Sequence, residues 1–149
     1  MNKIEAVVTD IEKTDIVTYI TAKHSDTSIR LIKTKTPLWL DKGESVYLAF
    51  QEASVCISKE CPGRVSIENR VPGEVKRIRS KGSLCELTIE SDIGTVVSLI
   101  TEKACAELGL SEGCRATMLL RGIDIQLEPN VAPMNAESLS KSAGTKDAN

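Results

Sequence analysis

The chain has 149 residues, 41% of them hydrophobic, which is enough for one ordinary core or two small ones. Only 3% are aromatic and the formal net charge is −2, so the stacking platforms and broad positive potential of nucleic-acid binders are missing and no nucleic-acid partner is expected. No apolar run approaches the roughly 20 residues of a spanning helix, and the polar start Met1-Asn2-Lys3 lacks the apolar stretch of a secretory signal. A soluble, cytoplasmic protein without membrane insertion is expected.

In chain order, residues 4–11 place Ile4, Ala6 and Val8 in alternation with polar neighbours and predict a half-buried strand. A turn at residues 12–15 leads to a β-branched strand over 16–22, then a polar turn at residues 24–26 and a third strand near 27–32. Pro37 lacks an amide donor and interrupts the pattern. Gly43 supplies a turn, residues 45–50 a fourth strand and residues 54–57 a fifth. Cys61-Pro62-Gly63 reads as a connection too short to be a free linker.

The order then repeats. Strands are predicted over 73–78, 84–89 and 95–100, with turns at Lys81-Gly82 and Asp92-Ile93-Gly94. Thr101 has the chemistry of a helix cap, residues 102–108 form the helix and Gly109 its left-handed stop. Strands over 115–120 and 123–127 complete the set. Asn69 to Val75 aligns with Asn2 to Val8 at an offset of 73 − 6 = 67, and Leu108 to Gly113 with Leu38 to Gly43 at 113 − 43 = 70. Two anchors in one order indicate an internal duplication with an indel of 70 − 67 = 3 residues. The expected fold is all-β: two tandem five-stranded OB-like barrels, each with at most one short helix. The expected units are a degenerate N-terminal domain over 1–61 and a C-terminal domain over 62–129, followed by a disordered Ser-, Ala- and Lys-rich tail over 130–149. Whether the units pack side by side or exchange strands is open at this level.

Five cysteines, an odd number, suit a reducing compartment, and one histidine, His24, leaves no zinc ligand set. No nucleophile motif or defensible carboxylate pair is present, so an enzyme is not expected.

The second unit resembles a molybdate-binding Mop domain, also called TOBE, the module of molbindins and of the C-termini of molybdate-transporter ATPases and molybdate-responsive regulators. Ser66, Asn69, Gly73 and Val75 match the family opening, and Ile100, Thr101, Glu107, Leu108, Gly109, Leu110 and Gly113 its middle. The first unit resembles it faintly. The resemblance implies non-enzymatic binding of molybdate or tungstate for storage, delivery or sensing, no covalent cofactor, and a homo-oligomer with sites between subunits. It implies as oxyanion contacts Ser66 and the amide of Ile67, Thr101 with the amides of Glu102, Lys103 and Ala104, and Arg121 as the cation. Glu68 stands where the family has arginine, Ala104 where it has serine, and Gln51 at the first unit's cation position. Those departures favour the alternative of a structural or oligomerisation module that contacts a protein partner and no longer binds the anion.

Overall fold

A computed structural model describes residues 1–131. The elements are β1 (Asn2–Lys13), β2 (Thr18–His24), β3 (Thr27–Lys33), β4 (Ser45–Phe50), β5 (Cys56–Ser58), β6 (Asn69–Lys81), β7 (Leu84–Ser91), β8 (Gly94–Thr101), α1 (Glu102–Leu108), β9 (Arg115–Leu120) and β10 (Gln126–Pro129). Single tight helical turns at Glu52–Ser54 and Gly122–Asp124 precede β5 and β10.

Alternation sets the inward faces. In β1, Ile4, Ala6 and Val8 are buried while Lys3, Glu5 and Val7 face outward. β1 is long because it serves two neighbours: residues 2–7 pair with β4 and residues 7–13 with β2. A register shift between Val8 and Asp10 marks the change, and a bulge there bends the strand around the core. β6 has the same shift between Val75 and Arg77, at the offset 75 − 8 = 67. Both bulges are pinned alike. Val8 and Val75 accept the amides of Gly43 and Gly113, whose φ values of 88° and 92° lie in the region glycine favours.

The two sheets run β10-β4-β1-β2-β3 and β5-β9-β6-β7-β8. Each is a curled, antiparallel, five-stranded OB-like barrel, as the repeat pattern predicts. The units exchange strands: β5 pairs with β9 of the second repeat, and β10 with β4 of the first. The inward side chains of both barrels form one continuous hydrophobic cluster, in which Val55 and Ile125 sit beside the exchanged segments.

Local chemistry explains where boundaries differ from expectation. The second strand starts at Thr18 rather than at residue 16, because Thr14 Oγ1 accepts the amides of Ile16 and Val17 and folds them into a turn. The fifth strand of each repeat starts later than expected because a tight helical turn precedes it. The second repeat's helix occupies 102–108 as read, with Thr101 Oγ1 accepting the Ala104 amide at 3.0 Å and Gly109 at φ 64°, ψ 37°. The three-residue indel falls here. The first repeat has instead a turn in which Leu40 donates to the Pro37 carbonyl. Of the expected tail, Asn130 still donates its amide to Ser45, and residues 132–149 lie outside the described residues. No helix among the described residues is long and apolar enough to cross a membrane.

Candidate functional site

The repeats are locked by two equivalent side chains. Asn69, only 4% exposed, accepts the Arg30 amide at 2.8 Å and donates to the carbonyls of Arg30 at 2.9 Å and Leu120 at 3.0 Å. Asn2 does the same for Val97, accepting its amide at 2.8 Å and donating to its carbonyl at 2.9 Å. Both pairs obey one offset, 69 − 2 = 97 − 30 = 67. Each asparagine, in the opening strand of one repeat, thus caps the free edge of the other repeat's third strand. Asn69 is a strand residue with a long-range role, whereas Ser-x-x-Asn chemistry alone suggests a local turn.

The structure places the candidate oxyanion contacts on the surface of the second barrel. Ser66 and Ile67 lie in the loop before β6, Ser66 exposed and Ile67 half-buried. That loop is organised by Arg70, whose guanidinium donates to the carbonyls of Gly63, Val65 and Ile67 at 2.6, 3.0 and 3.5 Å. Thr101, Glu102 and Lys103 are exposed and Ala104 half-buried at the start of α1. Two of the three amides there already have partners: Glu102 donates to the Ser83 carbonyl at 2.8 Å, and Ala104 to Thr101 Oγ1. The Lys103 amide has none among the described residues. Arg121 is 61% exposed in its side chain and its Nε donates to Asp124 Oδ2 at 2.8 Å, leaving the outer guanidinium nitrogens unengaged by that pair.

Glu68 is the residue whose role the sequence conceals. Its Oε1 accepts the Gly122 amide at 2.8 Å, so the carboxylate sits on the backbone donor next to Arg121. The carboxylate thereby supplies a charged acceptor for that amide. Gly122 must stay a glycine, since a Cβ would lie 2.8 Å from the Arg30 carbonyl oxygen.

The five most prominent surface clefts among the described residues are lined by other residues than the seven candidate contacts. The cleft beside the opening loop, about 420 Å³, gathers Thr21, Ser28 and Arg30 of the first barrel against Glu68 and Arg70 of the second. Burial holds the Lys33 ammonium below its ordinary range, and its Nζ donates to the Ile125 carbonyl beneath β10. Burial first, then the adjacent Cys85, pushes the Cys105 thiol up. All five cysteines are free, and no group of three or more metal-ligating side chains occurs among the described residues.

Strand order, exchanged fifth strands and paired asparagine clamps define a tandem OB-like barrel protein with its polar candidates at one barrel's surface. Residues 65–121, within the second barrel, match the TOBE domain family, and the matched stretch encloses all seven candidate contacts. The fold is similar to that of a crystal structure of the cytoplasmic molybdate-binding protein ModG with molybdate bound. The TM-score is 0.81 at 22% identity, over 86% of this chain and 95% of that one. No curated protein sequence matches the chain.

Proposed function

We propose that this protein binds a tetrahedral oxyanion, molybdate or tungstate, without catalysing a reaction, and serves cytoplasmic storage, delivery or sensing of it. The observation that carries this reading is the TOBE match over 65–121, which spans every candidate donor. The likeness of the entire tandem to molybdate-bound ModG supports it. Ser66, Thr101, the Lys103 amide and the outer nitrogens of Arg121 are the donors that remain open to an anion. They are exposed in one protomer, and a dianion is held strongly only where several donors converge out of water. A second protomer facing this surface would supply that enclosure, so the proposed binding form is a homo-oligomer.

Glu68 on the Gly122 amide, and the engaged amides of Glu102 and Ala104, favour the second reading, a barrel kept for protein contact. Thermal unfolding with molybdate, tungstate and sulfate at fixed ionic strength and protein concentration separates the two. A ligand at 100 times its dissociation constant stabilises the folded state by about 2.7 kcal/mol. A raised midpoint with molybdate or tungstate but not sulfate, diminished in Arg121→Ala, is the expected result. Glu68→Gln keeps an acceptor for Gly122 while removing the charge, and is expected to increase the shift. No shift with any of the three anions would leave the protein-contact reading standing.

A further inference from the structure

A second cleft, with cationic side chains over a largely apolar lining, lies on the outer face of the second barrel beside the loop that carries Ser66 and Ile67. The connection between the repeats, residues 59–62, passes over β6 and β9 and leaves a groove of about 350 Å³ beneath it. Its floor is the cross-strand pair Pro72 and Thr117, with Ala116 beside it, and Pro62 forms part of the roof. Lys59, Arg70 and Arg115 line it, against one acid, Glu60, giving a local charge of 3 − 1 = +2 in a chain whose net charge is −2.

These cations are positioned rather than neutralised. Lys59 Nζ donates to the Gly109 carbonyl at 3.1 Å, and the three loop carbonyls hold the Arg70 guanidinium in place. None of the three has a carboxylate within ion-pair distance among the described residues. A guanidinium has five donors, so Arg70 keeps two after its carbonyl contacts. The volume is that of a site for a small organic molecule, larger than a bare tetrahedral anion requires, and the prolines and alanine give it an apolar wall.

We propose that this cleft binds a phosphate monoester carrying a small apolar group. The dianionic head would meet Lys59, Arg70 and Arg115, the cations best suited to a phosphate's three oxygens, and the apolar group would lie along Pro62 and Pro72. Ser66, Thr101 and Arg121 do not line the cleft, and Arg70 is the residue it shares with the loop that carries Ser66 and Ile67.

The test follows backbone amide shifts of the full chain by NMR during titration with phenyl phosphate, inorganic phosphate, benzyl alcohol and molybdate at constant ionic strength. Phenyl phosphate is expected to give saturable shifts at Lys59, Cys61, Arg70 and Thr117, with inorganic phosphate weaker, benzyl alcohol inactive at those positions and molybdate inactive at Lys59, Cys61 and Thr117. Lys59→Gln, in the connection and outside any strand, and Arg115→Gln are each expected to weaken phenyl phosphate by about tenfold, the worth of one charge-assisted hydrogen bond. Unchanged spectra elsewhere in the barrel establish that the variants fold. Absence of saturable shifts, binding of benzyl alcohol at equal affinity, inorganic phosphate binding as tightly as the ester, or unchanged affinity in Lys59→Gln would each overturn the proposal.

Discussion

Asn69→Ala offers a direct test of how the barrels are joined. The substitution removes an acceptor for the Arg30 amide and donors to the Arg30 and Leu120 carbonyls. At about 1 kcal/mol for each bond, with partners left in a site from which water is largely excluded, the loss is about 3 kcal/mol. With a urea dependence of about 1.5 kcal/mol per molar for a chain of this size, the unfolding midpoint should fall by about 2 M. Asn2→Ala is an internal control: the same atoms are deleted, but only the two bonds to Val97 are lost. Its expected cost is about 2 kcal/mol, so the gap between the variants isolates the Leu120 bond. Asn69→Asp should be no better than alanine, since a carboxylate oxygen would face two carbonyls. Equal midpoints for Asn69→Ala and Asn2→Ala, or a shift below about 0.5 M in Asn69→Ala, would refute the clamp as a source of stability.

Gly122→Ala should destabilise by about 1–3 kcal/mol, because the new methyl would meet the Arg30 carbonyl oxygen at 2.8 Å; a circular-dichroism melt unchanged from the parent would show that the turn can shift freely. Lys33 binds its proton less tightly when folded than its ordinary 10.5, so the unfolded chain holds more protons in the window just below that value and stability should rise with pH there. Lys33→Met should abolish that rise while lowering stability at neutral pH through the orphaned Ile125 carbonyl, as urea midpoints across the alkaline range would reveal. In native protein a thiol reagent should modify exposed Cys56 and Cys61 rapidly and leave buried Cys85 and Cys105 untouched until unfolding; fast labelling of all five would mean that the second barrel opens readily.

What could be read from residues alone was what local chemistry determines. The helix over 102–108 was legible because its cap and its stop are adjacent in sequence, and β4 and β9 because apolar periodicity continues to a buried end. The partners of β5 and β10 were not. Duplication gives β4 and β9 equivalent free edges, so no side-chain pattern distinguishes a strand closing its own repeat from one closing the other. Asn69 invites a turn reading because asparagine so readily bonds nearby backbone, yet its partner is 39 residues away. Glu68 reads as a surface carboxylate or as a repulsive intruder in the anion site; its bond to Gly122 depends on an approach across 54 residues that no local pattern encodes. The candidate donors at 66, 67, 101–104 and 121 were named from motif likeness, and the fold shows in addition that the amides of Glu102 and Ala104 already carry structural bonds.

The strand exchange makes the two repeats answer different demands. Each opening strand carries the asparagine that caps the other repeat, and each fifth strand closes the other's sheet, so each barrel's stability draws on features of both copies. The polar candidates are under no such joint demand. Position 51, equivalent to Arg121 by 121 − 51 = 70, is glutamine, and the first repeat has a turn in place of the helix that presents Thr101. Architecture has therefore been kept symmetric while the surface chemistry has become one-sided. β10 leaves the second barrel directly after the Arg121 turn and is anchored on β4, so the arginine's position depends on a strand of the other repeat.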